Sequence, residues 1–230
     1  MSFGFFSAHH VFFRYAGQTG WALNDVTFSL DRGSAAVIEG GMASGKTTLL
    51  RTLTGHLHPH HGSVSSRCYP GKLPPEAFGV MPQTVTLAPD LSTLENIIMP
   101  FVALNRQIQE RDIRFCNQLL QAMGLGPHRH VNAGQLSHQQ KKILMFVRAF
   151  VHRPALVMLD QPFGGIDESL HLLMMRLIVE FCRSGMTVVM TLHQGEADAL
   201  GLVDPLFCRY DMDHGHLEPR ITESSTRSVA

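Results

Sequence analysis

No stretch of about 18 consecutive apolar residues occurs in this chain of 230, so nothing in the sequence reads as a membrane-spanning helix. Net charge is also missing: 19 Lys and Arg balance 19 Asp and Glu. That balance argues against a nucleic-acid-binding domain, which needs a basic face for phosphates. A modest basic cluster, Lys141, Lys142 and Arg148, reads as a solvated helix face. CxxC spacing is absent too. The four cysteines, at 68, 116, 182 and 208, read as buried or incidental thiols in a reducing compartment. The apolar stretch Phe3–Phe6 lacks the basic flank of a signal peptide and soon meets His9 and His10. Internal repeats, heptads and low-complexity tracts are lacking. What remains is a globular composition, 44% apolar and 17% charged, sufficient for one well-packed α/β domain with a small satellite.

Three short apolar runs read as buried strands: Ala35–Ile38, Leu156–Leu159 and Thr187–Met190. Helices separate them. One follows Gly45, Lys46 and Thr47. Another spans about Ser169 to Arg183, with Leu170, Leu173, Met174, Leu177, Ile178 and Phe181 on one core-facing stripe. Such alternation predicts a mostly parallel sheet covered on both faces. Val11–Tyr15 and Val26–Leu30 read as antiparallel strands joined by a turn over Ala16–Gly20. Residues from about Leu87 to Phe150 read as helix-rich, with breaks at Pro100 and Gly124–Pro127, and Thr222–Ala230 as a polar, frayed tail.

Gly40, Gly41, Met42, Ala43, Ser44, Gly45, Lys46 and Thr47 fit G-x-x-x-x-G-K-[ST], between the strand Ala35–Ile38 and an apolar helix, Thr48–Leu53. In that setting the loop's N–H groups and the helix N-terminus converge on anionic oxygens. Gly40 and Gly45 are expected to let the chain curl. Lys46 supplies positive charge to the β- and γ-phosphates, and Thr47 offers a hydroxyl to Mg²⁺. Leu156–Leu159 then delivers Asp160 to the sheet edge, as a second Mg²⁺-orienting group. A Gly-rich turn with an incidental Lys would not need these flanks.

Together these motifs resemble the nucleotide-binding domains of ABC transporters over nearly the whole chain. Further residues stand in the family's order. Tyr15 lies at the position of the adenine-stacking aromatic. Gln83, after Phe78–Met81, matches the glutamine that touches Mg²⁺ or the attacking water. Ser137, His138, Gln139 and Gln140, after Leu136, stand at the signature that meets the partner's ATP. Gly164–Asp167 matches the loop that touches the second subunit, with Asp167 at the contact, and His193 matches the histidine that reaches the γ-phosphate. Taken singly, Tyr15 could be a core aromatic, Gln83 a surface polar residue and His193 a strand-end histidine.

The resemblance implies a RecA-like P-loop core (about 36–86 and 151–221), an N-terminal antiparallel β subdomain (about 1–35) and an inserted helical subdomain (about 87–150), with a tail at 222–230. It implies ATP bound by Tyr15, residues 40–47 and Thr48, with Mg²⁺ held near Thr47, Gln83 and Asp160. Gln161, His193 and Gln83 are the catalytic positions. The implied partners are integral-membrane transporter subunits and a second ATPase subunit, a homodimer being favoured, with no nucleic acid. The chain would sit peripherally on the cytoplasmic face of the membrane. Leu94–Pro100 and Asp160–Phe163 look most like ATPases of lipid and lipoprotein trafficking.

Three departures from the family involve four positions. Gln161 replaces the glutamate that polarises the attacking water, and an amide takes no proton at neutral pH. His138 and Gln139 replace signature glycines, and Ala43 replaces a loop glycine, a mild change. Either Gln161 is an engineered substitution that traps the ATP-bound state, which is favoured, or the subunit is naturally slow and switch-like. The alternative function is therefore a non-catalytic regulatory ATP switch. Soluble ABC proteins of DNA repair or translation carry coiled coils or tandem units that this sequence lacks. His56, His58, His60 and His61 read as an exposed loop, with metal binding as the other possibility.

Overall fold

The structure, a computed structural model, describes residues 5–67, 74–202 and 205–220. Cys68, Phe3 and the predicted tail lie outside them. The elements in chain order are β1 (Phe6–Phe13), β2 (Leu23–Leu30), β3 (Ala35–Gly40), α1 (Lys46–Leu53), β4 (His61–Ser66), β5 (Phe78–Met81), α2 (Thr93–Ala103), α3 (Glu110–Ala122), α4 (His138–Phe150), β6 (Leu156–Asp160), α5 (Glu168–Arg183), β7 (Thr187–His193), α6 (Glu196–Ala199), β8 (Phe207–Asp213) and β9 (His216–Pro219).

Six strands form the main sheet in the order β5-β6-β7-β3-β8-β9. All its pairings are parallel except the last, β8 with β9. The three apolar runs become its central strands, and both faces are covered, as continuous apolar strands require. Alternation along each strand sends side chains to opposite faces. On one face Val37, Leu159 and Met190 pack with α4, α5 and the helical subdomain. On the other, Ile38, Met158 and Val189 pack with Leu49 and Leu53 of α1 and with the antiparallel sheet. The fold is thus a RecA-like P-loop core with an antiparallel β subdomain and a helical insertion.

The antiparallel sheet has the order β2-β1-β4. Its third strand is residues 61–66, so the antiparallel subdomain is not confined to about 1–35 but takes a strand from the stretch 36–86 expected in the core. β1 begins at Phe6 and ends at Phe13, so it starts earlier than Val11 and leaves Tyr15 in the following loop. Between Ala8 and Val11 its register shifts, with His10 at φ 48. Such a bulge resets the pleat and interrupts the alternation that marks a strand.

Pro100 does not break its helix. α2 continues to Ala103 and Leu104 N–H returns to the Pro100 carbonyl at 3.1 Å. The proline costs the helix the one N–H that would return to the Asn96 carbonyl. Against that loss stand a capping box between Ser92 and Glu95 and the burial of Ile97 and Phe101. On α5, Met174, Ile178 and Phe181 are buried, and Leu170, Leu173 and Leu177 pack partly buried beside them, so the stripe is core.

Candidate functional site

The phosphate loop leaves β3 at Gly40. A Cβ there would stand 2.3 Å from the Met212 carbonyl oxygen and 2.8 Å from Ser44 Oγ. Its φ is not positive, so Gly40 is required for close approach and not for a curl. Gly45 does curl, with φ 109, and caps α1. Ala43 also lies in the left-handed region, φ 59, so its change from glycine is more than mild: a Cβ there costs about 1–2 kcal/mol.

Lys46 is buried and donates to Gly40 O at 2.8 Å, Gly41 O at 2.7 Å and Ser44 Oγ at 3.3 Å. Burial pushes its pKa down, with Asp160 opposing the shift. Thr47 Oγ1 donates to Asp160 Oδ2 at 2.8 Å, and Thr191 Oγ1 donates to Asp160 Oδ1 at 2.7 Å. Asp160 thus ends β6 with both oxygens engaged. Thr191, a residue the sequence reading missed, also takes the Gln161 N–H at 3.1 Å.

Gln161 leaves the strand with φ 50. Its Oε1 accepts from Gln83 Nε2 at 2.7 Å. His193 ends β7 directly across the ladder from Gly40, and its backbone N–H donates to Glu196 Oε2 at 2.8 Å. Tyr15 sets its ring edge-on to Phe13, centroids 5.0 Å apart, and its hydroxyl meets Thr48 Oγ1 at 3.0 Å.

Many of these groups, though not Gly40, Gly41 or Asp160, line one open cavity of about 560 Å³, within the usual range for a small-molecule site. Tyr15, Met42, Ala43, Ser44, Gly45, Lys46, Thr47, Thr48, Gln83, Gln161 and His193 line it. Gln18 and Trp21 line it as well, and the sequence reading singled out neither. An adjoining groove is lined by Thr47, Gln83 and Asp160 together. A hydroxyl, an amide and a carboxylate are oxygen donors suited to a hard divalent cation, so this donor set fits Mg²⁺.

The signature residues stand outside that cavity. Ser137 caps α4: its Oγ accepts Gln140 N–H at 3.2 Å, and Gln140 Oε1 accepts Ser137 N–H at 2.9 Å. His138 is exposed beside Gly165. Gln139 Nε2 donates to Asp167 Oδ2 at 3.0 Å, within the same chain.

Lys142 corrects the solvated-face reading. It is 5% exposed, and its ammonium donates to Gln161 O at 3.1 Å and Gly164 O at 2.8 Å. Burial lowers its pKa, opposed by Glu196 and then Asp160. Arg148 is half-buried and donates to Thr86 O and Oγ1 at 3.0 and 2.8 Å. Lys141 donates to Gly134 O at 3.0 Å.

His56, His58, His60 and His61 are exposed. The rings of His60 and His61 approach Trp21 edge-on, at 5.9 and 6.1 Å between centroids. Among the described residues, no group of three or more His, Cys, Asp or Glu side chains is arranged to hold a metal ion. Cys116 and Cys182 are buried and Cys208 half-buried; burial pushes the Cys116 thiol up to about 12.

Comparison with known proteins finds one recurring family. The profile of the ABC transporter family matches residues 23–164. The ATP-binding protein LolD of a lipoprotein-releasing system, from Bordetella pertussis, is 31% identical over 86% of this chain and 87% of its own length. The cell division ATP-binding protein FtsE of Haemophilus influenzae is 29% identical over 78% of this chain and 85% of its own. The Fe(3+) import ATP-binding protein FbpC of Pseudomonas fluorescens is 30% identical over 80% of this chain, which spans only 53% of that relative. Among solved structures, an ATP-binding subunit of an ABC transporter superposes with a TM-score of 0.83 at 23% identity, covering 97% of this chain and 92% of its own. A dimeric ATP-binding cassette bound to ADP and phosphate gives 0.80 at 22% identity, over 94% of this chain and all of its own.

Proposed function

The chain belongs to the ABC transporter family, and from that premise we propose that it binds ATP in the cavity around Lys46 and powers substrate movement through separate integral-membrane subunits. One observation carries the reading: the lysine, both amides, the strand-end histidine and an aromatic ring converge on the N-terminus of α1. The loop's N–H groups and Lys46 receive the phosphates. Lys46 is now satisfied by its own loop carbonyls, so phosphate oxygens must replace those partners. Tyr15 offers a face to the base, and His193 reaches the last phosphate. Thr47, Gln83 and Asp160 would hold Mg²⁺, which would supply positive charge to neutralise the phosphates.

Gln161 sits where a proton acceptor is expected. Its amide orients through Gln83 but takes no proton, so hydrolysis is slow in this chain. The same observation favours a second reading, a regulatory ATP switch in which binding alone matters. A second ATPase subunit, most simply another copy of this chain, would supply Ser137 and the N–H groups of α4 to the bound triphosphate. The pair would sit on the cytoplasmic face of a membrane, held there by its membrane subunits, with no role for nucleic acid. The relatives' names point to lipoprotein release, cell division and iron import at nearly equal identity, so the cargo is assigned to the membrane subunits. The motifs at Leu94–Pro100 and Asp160–Phe163 favour a lipid or lipoprotein cargo.

Calorimetric titration of ATP and ADP into the chain and its Lys46→Ala variant tests the site. Binding is expected in the first and loss in the second. Equal affinity in both would overturn it.

A further inference from the structure

Glu39 is fully buried on a central strand, one residue before the phosphate loop. A carboxylate withdrawn from water this completely is tolerated only when each oxygen is paired, and an apolar side chain of similar volume would serve the core as well or better. Stability therefore does not account for it. Its partners indicate what does.

Glu39 Oε1 accepts the Ala197 N–H at 3.0 Å. Oε2 accepts from Arg209 Nη2 at 2.8 Å and pairs with Arg220 Nη1 at 2.9 Å. Ala197 lies in the first turn of α6, which spans only Glu196–Ala199 and follows His193 by a single turn through Gly195. Four residues cannot hold a helix by their own hydrogen bonds. What fixes this turn is the cluster beneath and beside it. Arg209 Nη1 also donates to Asp198 Oδ1 of α6 at 2.6 Å. Arg220 is paired in turn with Asp211 of β8, the strand next to β3. Glu196, held in place by that helix, accepts the His193 N–H.

We propose that Glu39, backed by Arg209 and Arg220, is a positioning residue that seats the turn after β7 and so holds His193 against the last phosphate of ATP. This rests on the nucleotide reading of the cavity. Glu39 and Gly40 are consecutive, and Gly40 is paired across the ladder with His193. One buried carboxylate therefore ties the loop that receives phosphate to the turn that senses how many phosphates are present. The consequence is selective. ADP lacks the group His193 reaches, so loosening the seat weakens ATP and spares ADP.

The test measures ATP and ADP affinities by calorimetry for the full chain, Glu39→Gln and Arg220→Gln, each with His193 intact and as His193→Ala. Glu39→Gln keeps the shape and one acceptor while deleting the charge. Arg220→Gln changes a partly exposed partner, and carries the test if the buried variant fails to fold. The preference for ATP over ADP should fall about threefold or more in both variants, the range expected for contacting residues in one network. ADP affinity should hold, and the effect should vanish in the His193→Ala background. Equal losses of ATP and ADP, a loss that persists without His193, or a His193→Ala variant with unchanged preference would each overturn the proposal. Failure of the nucleotide reading looks different: Lys46→Ala would then bind ATP as tightly as the unaltered chain.

Discussion

At Gln161 the backbone and the side chain are held separately. Thr191 takes its N–H, Lys142 donates to its carbonyl oxygen, and Gln83 donates to its side-chain oxygen. A carboxylate in its place could accept from Gln83 at the same position, so Gln161→Glu keeps the frame while adding a proton acceptor. Turnover, followed as phosphate release in the complex with its membrane subunits, should rise by about 10²-fold or more. Turnover that stays near zero would end the trapped-enzyme reading and favour the switch. Gln161, Gln83 and His193 were legible in the sequence because each follows a recognisable strand at the family's spacing. Lys142 and Glu39 were not. Charged residues read as solvated unless something in the sequence marks them as buried, and their partners lie on other elements.

Among the elements, α4 and the 161–167 loop form one unit. Lys142 and Gln139 grip that loop from the helix that Ser137 caps. Replacing Lys142 by Met keeps the volume and removes the donor to two carbonyls. Amide exchange across 161–167 should then quicken while exchange in α1 stays unchanged; identical exchange in the loop would show that the lysine does not hold it. The end of α4 contributes differently. His152 is buried and its Nε2 meets the Phe78 carbonyl of β5 at 2.9 Å. Burial lowers its pKa below the ordinary 6.5. The unfolded chain thus binds a proton that the folded chain refuses, and the imbalance grows as pH falls through about 6.5 toward the depressed value. Stability to urea should drop between about pH 7 and pH 5, and His152→Gln should remove part of that drop. A drop of the same size in the variant would assign it to other groups.

For the whole molecule, the central sheet was legible because β3, β6 and β7 are continuous apolar runs. β4 was not: His61–Ser66 is polar and largely exposed, and only its pairing with β1 makes it a strand. The bulge at His10 hid the first half of β1 in the same way. The molecule as it stands offers half of what the proposed pairing needs at each ATP, with the phosphate loop and the Ser137 end of α4 apart. In ATP and Mg²⁺ the chain should therefore double its mass by light scattering, and Lys46→Ala should not. A mass unchanged by nucleotide, both alone and in complex with the membrane subunits, would count against a shared site.

The wall of the cavity also contains the chain's one tryptophan. Trp21 stands among Phe12, His60 and His61, with the Arg14 guanidinium 5.3 Å from its ring centre. Indole emission from this protein therefore has a single origin, and that origin faces the space a nucleotide would fill. Arrival and departure of ligand can be timed by stopped-flow fluorescence on the unlabelled chain, with Trp21→Phe as its dark control.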